Sequence, residues 1–153
     1  MASLVGLALA GTMVISSCDK DDDDIKTPKN KYTLSGNASG DQEVPAVTTS
    51  ATATLTGTYD KESRELTYTI NWTGLSGDVT AAHFHGPAAA GETASPLQDI
   101  TIGTNGMDGS ASATISASDA LNSALLDGKV YYNLHTAANP DGEIRGHVTL
   151  TQQ

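Results

Sequence analysis

Four histidines, His83, His85, His135 and His147, are the residues of this sequence best suited to chemistry. Two of them stand in the run Thr80-Ala81-Ala82-His83-Phe84-His85. If that run is extended, both imidazoles leave the same face of one strand. Their Cα atoms are then roughly 6.5–7 Å apart, close enough for two rings to share one ion. Imidazole is a common ligand for zinc and copper, so the pattern predicts one copper or zinc ion. The competing reading is that these are ordinary hydrogen-bonding strand and loop residues.

The elements that must position the histidines follow from hydrophobic alternation. Val130, Tyr132 and Leu134 form one face of a strand, which leaves Tyr131, Asn133 and His135 on the other. Ile144, Gly146, Val148 and Leu150 form the buried face of the next strand, opposed by Glu143, Arg145, His147 and Thr149. Asn139-Pro140-Asp141-Gly142 between them is a turn signal. Keeping both apolar sets on one side allows only alternate registers. One places Asn133 opposite His147, and another places His135 opposite Glu143. Either way His135 and His147 share a face. All four histidines converge if the 79–85 strand lies beside this hairpin.

The same period of two runs through the rest of the domain. Leu66, Tyr68, Ile70 and Trp72 alternate with Thr67, Thr69, Asn71 and Thr73 over 65–73, which marks a half-buried antiparallel strand. Thr52, Thr54, Thr56 and Thr58 face away from Ala53 and Leu55. Further strands are expected near Tyr32 and Leu34 and over 79–85, 97–102, 109–116, 130–136 and 143–151. Ser118-Asp119 before Ala120, Leu121, Ala124 and Leu125 predicts one short capped helix ending near Gly128. Closely spaced Gly, Asn, Asp and Pro between strands favour a sandwich or barrel over βαβ units. Trp72, on the apolar face of its strand, is expected in the core.

Composition narrows the partners. The formal net charge is −10, and no basic stripe with aromatics occurs. Such a chain repels phosphate backbones, so nucleic acid is excluded as an expected partner. The single cysteine makes no internal disulfide. Gly-rich phosphate loops, hydrolase elbows and Cys-x-x-Cys pairs do not occur in the sequence.

The first residues read as a targeting segment. Residues 2–15 are apolar and uncharged, too short for a membrane span but of the length of a signal-peptide core. Ile15-Ser16-Ser17-Cys18 resembles a bacterial lipobox, with Cys18 the lipidated residue. No Lys or Arg precedes it, so the natural start is expected a few residues upstream. Asp19-Lys20-Asp21-Asp22-Asp23-Asp24 follows and reads as a solvated tether. It resembles the surface-export signal of Bacteroidetes lipoproteins. The expected division is signal peptide 1–17, tether 18–31 and one domain 32–151. The expected location is the outer membrane, surface-exposed, with the periplasmic face as the alternative.

Taken in order, several blocks resemble the CHRD (chordin-type) domain family, here in a bacterial lipoprotein. They are Leu34-Ser35-Gly36, Asp41-Gln42-Glu43-Val44-Pro45, Leu66-Thr67-Tyr68, Thr80 through Pro87, Tyr132-Asn133-Leu134-His135-Thr136 and Gly142-Glu143-Ile144-Arg145-Gly146. The resemblance implies an all-β, antiparallel Greek-key or immunoglobulin-like β-sandwich with one short helix. It implies no settled activity. Its motif carries over to His83, His85, His135, Glu143 and Arg145, whereas His147 falls where Gln is expected more often.

Three functions compete. The first is a lipid-anchored, non-catalytic module that binds an extracellular protein or glycan. The second is a histidine-based copper or zinc domain. The third is a metal-dependent redox enzyme in which Arg145 steers an anionic substrate. Glu143 and Arg145 support the site in the last two readings; the plain alternative is that they pair with each other on the hairpin.

Overall fold

The structure is a computed structural model and describes residues 30–153. The signal segment, Cys18 and nearly all of the tether lie outside the described residues. The strands are β1 (Lys31–Ser39), β2 (Thr52–Asp60), β3 (Glu65–Thr73), β4 (Val79–His85), β5 (Pro96–Asp99), β6 (Gly109–Ser116), β7 (Tyr131–Thr136), β8 (Ile144–His147) and β9 (Thr149–Gln152). One α-helix, α1 (Asp119–Leu126), precedes β7, and a single 3-10 turn spans Gly40–Gln42 after β1. The all-β, antiparallel expectation with one short helix holds.

The strands form one ladder in the order β5-β4-β7-β8-β1-β2-β3-β6, with β9 added to β1. Every pairing is antiparallel. Strand β1 gives one edge to β2 along its whole length. Its other edge is shared by β8, at Ser39, and β9, over Tyr32–Ser35. The ladder therefore curls back on itself at β1. Tyr68 of β3 and Phe84 of β4 stand far apart in the strand order, yet their rings meet edge to face at 5.2 Å. That contact closes the core between the two arms of the sheet.

The alternation read from the sequence explains the core. Leu66, Tyr68, Ile70 and Trp72 are all buried, and the intervening Thr67, Asn71 and Thr73 are exposed. Burying one such Leu or Ile contributes about 1.5–3 kcal/mol. Tyr132 points into the same core and donates its hydroxyl to Gly36 O at 3.3 Å and Ala53 O at 3.4 Å. Ser118 caps α1, its side chain accepting from Leu121 N at 3.2 Å, and Leu121, Ala124 and Leu125 turn inward. The helix gives way at Gly128, whose φ of +65° suits glycine.

Two strand boundaries differ from expectation. The stretch expected to run 97–102 is shorter, β5 ending at Asp99. Ile100 N still donates to Ala82 O at 2.8 Å, but the chain then leaves for the 103–110 turn, where Thr104 bridges Ser110. The stretch expected over 143–151 breaks at Val148. Val148 is in the core and donates to Val130 O at 2.9 Å, so the segment before it stays with β7. The segment after it crosses to β1.

Strand β7 is buried on both faces. Its inner face meets the apolar core. Its outer face carries Tyr131, Asn133 and His135, covered by the 40–51 segment and the 86–95 segment. Thr49 reaches Glu143, Ala94 reaches Tyr131 and His85, and Glu92 reaches Arg145. A polar layer under two loops needs its hydrogen bonds accounted for, and that layer is the site.

Candidate metal centre

One rung of the sheet organises the site. Ser39, Arg145, Asn133, His83 and Asp99 are successive Cα partners across β1, β8, β7, β4 and β5. His135 lies two residues beyond Asn133 on β7, opposite Ala81. His85 lies two residues beyond His83 on β4, opposite Tyr131. The hairpin takes a register with Asn133 opposite Arg145 and Tyr131 opposite His147.

This register brings three histidines together. The donor nitrogens of His83, His85 and His135 all lie within 4.8 Å of one another. His83 Nδ1 is 3.2 Å from His135 Nε2. The rings of His83 and His85 meet edge to face at 5.4 Å, and those of His83 and His135 at 5.0 Å. His147 is outside this group. It stands on β8, two strands from β4, with the Tyr131 ring 6.4 Å away on the side of the cluster. Sharing a sheet face was not enough, because an intervening strand separates β4 from β8.

Two of the three rings are held at their far nitrogen. His85 Nδ1 faces Ala94 O at 2.9 Å, and His135 Nδ1 faces Pro140 O at 2.9 Å. A carbonyl oxygen only accepts, so both Nδ1 atoms carry the proton. A neutral imidazole then has a bare lone pair on Nε2. His83 Nε2 lies 3.8 Å from Asp99 Oδ1. If His83 presents Nδ1 to the cluster, its Nε2–H points toward a carboxylate. Fixing the outer N–H of His85 and His135 in this way is how proteins orient metal-ligating histidines. Burial pushes the pKa of His85 and His135 down, which favours the neutral form of both rings.

Asn133 sits at the centre. Its Oδ1 is 3.0 Å from His85 Nε2 and 3.0 Å from His135 Nε2. On its other side the amide serves the Glu43 carboxyl. Glu43 is itself buried, and burial raises its pKa against the opposing pull of Arg145. The sequence placed Asn133 and Tyr131 on the right face but gave neither a role, and it gave none to Glu43. The signal for Asn133 was its period-two spacing from His135.

Tyr131 completes a stack. Its ring lies parallel to His85 at 4.7 Å with 4° between the planes. The Arg145 guanidinium lies 3.4 Å over the Tyr131 ring and donates to Glu92 O. Arg145 is only 2% exposed, so it faces no solvent from which to steer a substrate. Nor do Glu143 and Arg145 pair with each other. Glu143 is fully buried and accepts from Ser76 N at 2.9 Å, Ser76 Oγ at 2.5 Å, Thr136 Oγ1 at 2.7 Å and Thr49 Oγ1 at 3.1 Å. Burial works to raise its pKa, but these donors together outweigh burial and hold it low. Glu143 ties three segments together, and Arg145 braces Tyr131 against His85. Both support the site from outside the ligand cluster.

A family model described as the CHRD domain matches residues 34–148, which span every residue of this cluster and its supports. No curated protein and no solved structure matches the chain.

Proposed function

The chain belongs to the CHRD domain family, and we propose that it is a non-catalytic binding module that takes one divalent transition-metal ion, copper or zinc, at His83, His85 and His135. One observation carries this reading: His85 and His135 spend their only protons on backbone carbonyls and turn bare Nε2 atoms toward each other and His83. Lone pairs gathered in one place repel unless a proton or a cation lies among them. Burial disfavours an added proton on His85 or His135. All three donors come from two adjacent strands, which hold them more rigidly than loops would.

The family resemblance extends the reading to the immunoglobulin-like, Greek-key arrangement. It is supported by the inward meeting of Tyr68 and Phe84 and by β1 bearing partners on both edges. Ile15-Ser16-Ser17-Cys18 and the acidic run after it support an exported module, lipid-anchored at the outer membrane and surface-exposed.

The test is elemental analysis and calorimetric titration with copper and zinc, on the full chain purified without an oligohistidine tag. One ion per chain, lost on His83→Ala or His135→Ala, supports the proposal. No binding above background overturns it and leaves a module for an extracellular protein or glycan.

A further inference from the structure

The three histidines leave one strong acceptor unexplained. Asn133 Oδ1 faces two Nε2 atoms that have no proton to give it. An Asn has two donors on the other end of its amide, and turning that end inward would satisfy both rings. The neighbour on the far side opposes the turn. Glu43 is a buried carboxyl that draws on the Asn133 amide, and a carboxylate takes Nδ2 rather than Oδ1. Glu43 thereby aims Oδ1 at the histidines.

We propose that Asn133 is the fourth donor of the site, through Oδ1, and that the resulting set of three nitrogens and one oxygen prefers copper(II) to zinc. This rests on the metal reading above. Its own support is the spacing of the donors. Oδ1 is 3.0 Å from each of two nitrogens, and His83 Nδ1 is 3.2 Å from His135 Nε2. With metal–ligand bonds of about 2.05 Å, donors at right angles are about 2.9 Å apart and tetrahedral donors about 3.3 Å apart. Both oxygen edges fall near the right-angle value, whereas the His83–His135 edge falls nearer the tetrahedral one, so the tetragonal character rests on the oxygen. Right-angled nitrogen and oxygen donors make a tetragonal site, the geometry of copper(II) rather than of structural zinc. No cysteine joins the set among the described residues, so it lacks the thiolate that most favours copper(I).

The experiment compares wild type, Asn133→Leu and Asn133→Asp by copper–zinc competition and by electron paramagnetic resonance of the copper(II)-loaded protein. Asn133→Leu is expected to bind copper(II) about tenfold or more weakly, to lose much of its preference over zinc and to shift the parallel hyperfine splitting. Asn133→Asp, with an anionic oxygen in the same place, is expected to bind copper(II) at least as tightly as wild type, with a shifted spectrum. If Asn133→Leu does not fold, Asn133→Asp decides, since exchanging a ligating oxygen must alter the spectrum. Wild-type affinity and spectrum in the variants overturn Asn133 as a ligand and leave the three-histidine site standing. A wild-type protein that binds zinc but no copper overturns this inference alone, and one that binds neither ion overturns the metal reading and this inference with it.

Discussion

His83 Nδ1 lies 3.2 Å from His135 Nε2, though 52 residues separate the two in the chain. The approach is set by the β4–β7 register, in which His83 faces Asn133 and His135 is the next outward residue. A slip of one residue would send His135 into the core and Leu134 out of it, so the apolar pattern protects the register. The core thus specifies the site from beneath.

Replacing His83 or His135 with Ala is expected to abolish stoichiometric copper and zinc binding. His147→Ala is expected to leave both affinities unchanged within twofold, because His147 lies outside the cluster behind Tyr131. Calorimetry on the three variants checks this. Equal losses in all three would refute the three-residue assignment.

Stability without metal should depend on pH through His85 and His135. Burial holds both pKa values below the ordinary 6.5. As pH falls below 6.5, the unfolded chain takes up protons there before the folded chain does. Stability from these groups is therefore fully present above 6.5 and declines as pH drops through the window down to the folded pKa values. The slope is at most about 1.4 kcal/mol per pH unit for each histidine. Urea midpoints at pH 7.5 and 5.5 measure it. Copper or zinc should steepen the dependence, since protons compete for the ligand nitrogens.

Glu43 has the opposite sign. Its folded pKa is raised above 4.5, chiefly by burial. Its contribution is present below 4.5 and is lost as pH rises through the raised folded value. Glu43→Gln keeps the shape and an acceptor for Asn133 without the buried charge. The variant should have a higher urea midpoint than wild type at pH 7, and the gain should vanish near pH 4. A gain that persists unchanged at pH 4 would count against burial of the charge as its cause.

Glu143→Ala should cost about 2–4 kcal/mol, since hydrogen bonds to a buried carboxylate are strong and their donors are left without it. Glu143→Gln should cost less. Chemical denaturation at pH 7 reads the difference. A loss under about 0.5 kcal/mol for the Ala variant would mean that Ser76, Thr49 and Thr136 find other partners.

Much of this was legible in the sequence because alternation reports which face is buried. Leu66 through Trp72 predicted β3 to the residue, and the β4 and β6 boundaries were readable the same way. Ser118 and Gly128 marked the helix by their local chemistry. The three-histidine cluster was half legible. Spacing put His83 and His85 on one face, and hairpin parity put His135 on a matching face, but the adjacency of β4 and β7 is a long-range choice that no local pattern records. The same limit hid Glu43 and the covering segments. The 40–51 and 86–95 segments carry no periodicity, and their placement over β7 depends on contacts such as Glu92 with Arg145 and Thr49 with Glu143. Parity fixes the face of a residue and not its distance across strands, so it put His147 on the face of His135 without bringing it to the cluster.

Strand β1 sets an orientation for the whole domain. Tyr32 pairs with Gln152 at one end of the strand, and Ser39 pairs with Arg145 at the other. The two ends of the described fold therefore emerge side by side, while the rung through Asn133 and His83 starts at the opposite pole. The nine residues of β1, Lys31–Ser39, span roughly 26–27 Å from end to end. A domain attached by either end, to a bead, a sensor surface or a membrane, would hold its histidines outward from the point of attachment. Tandem copies joined end to end would likewise leave every such pole open to solution.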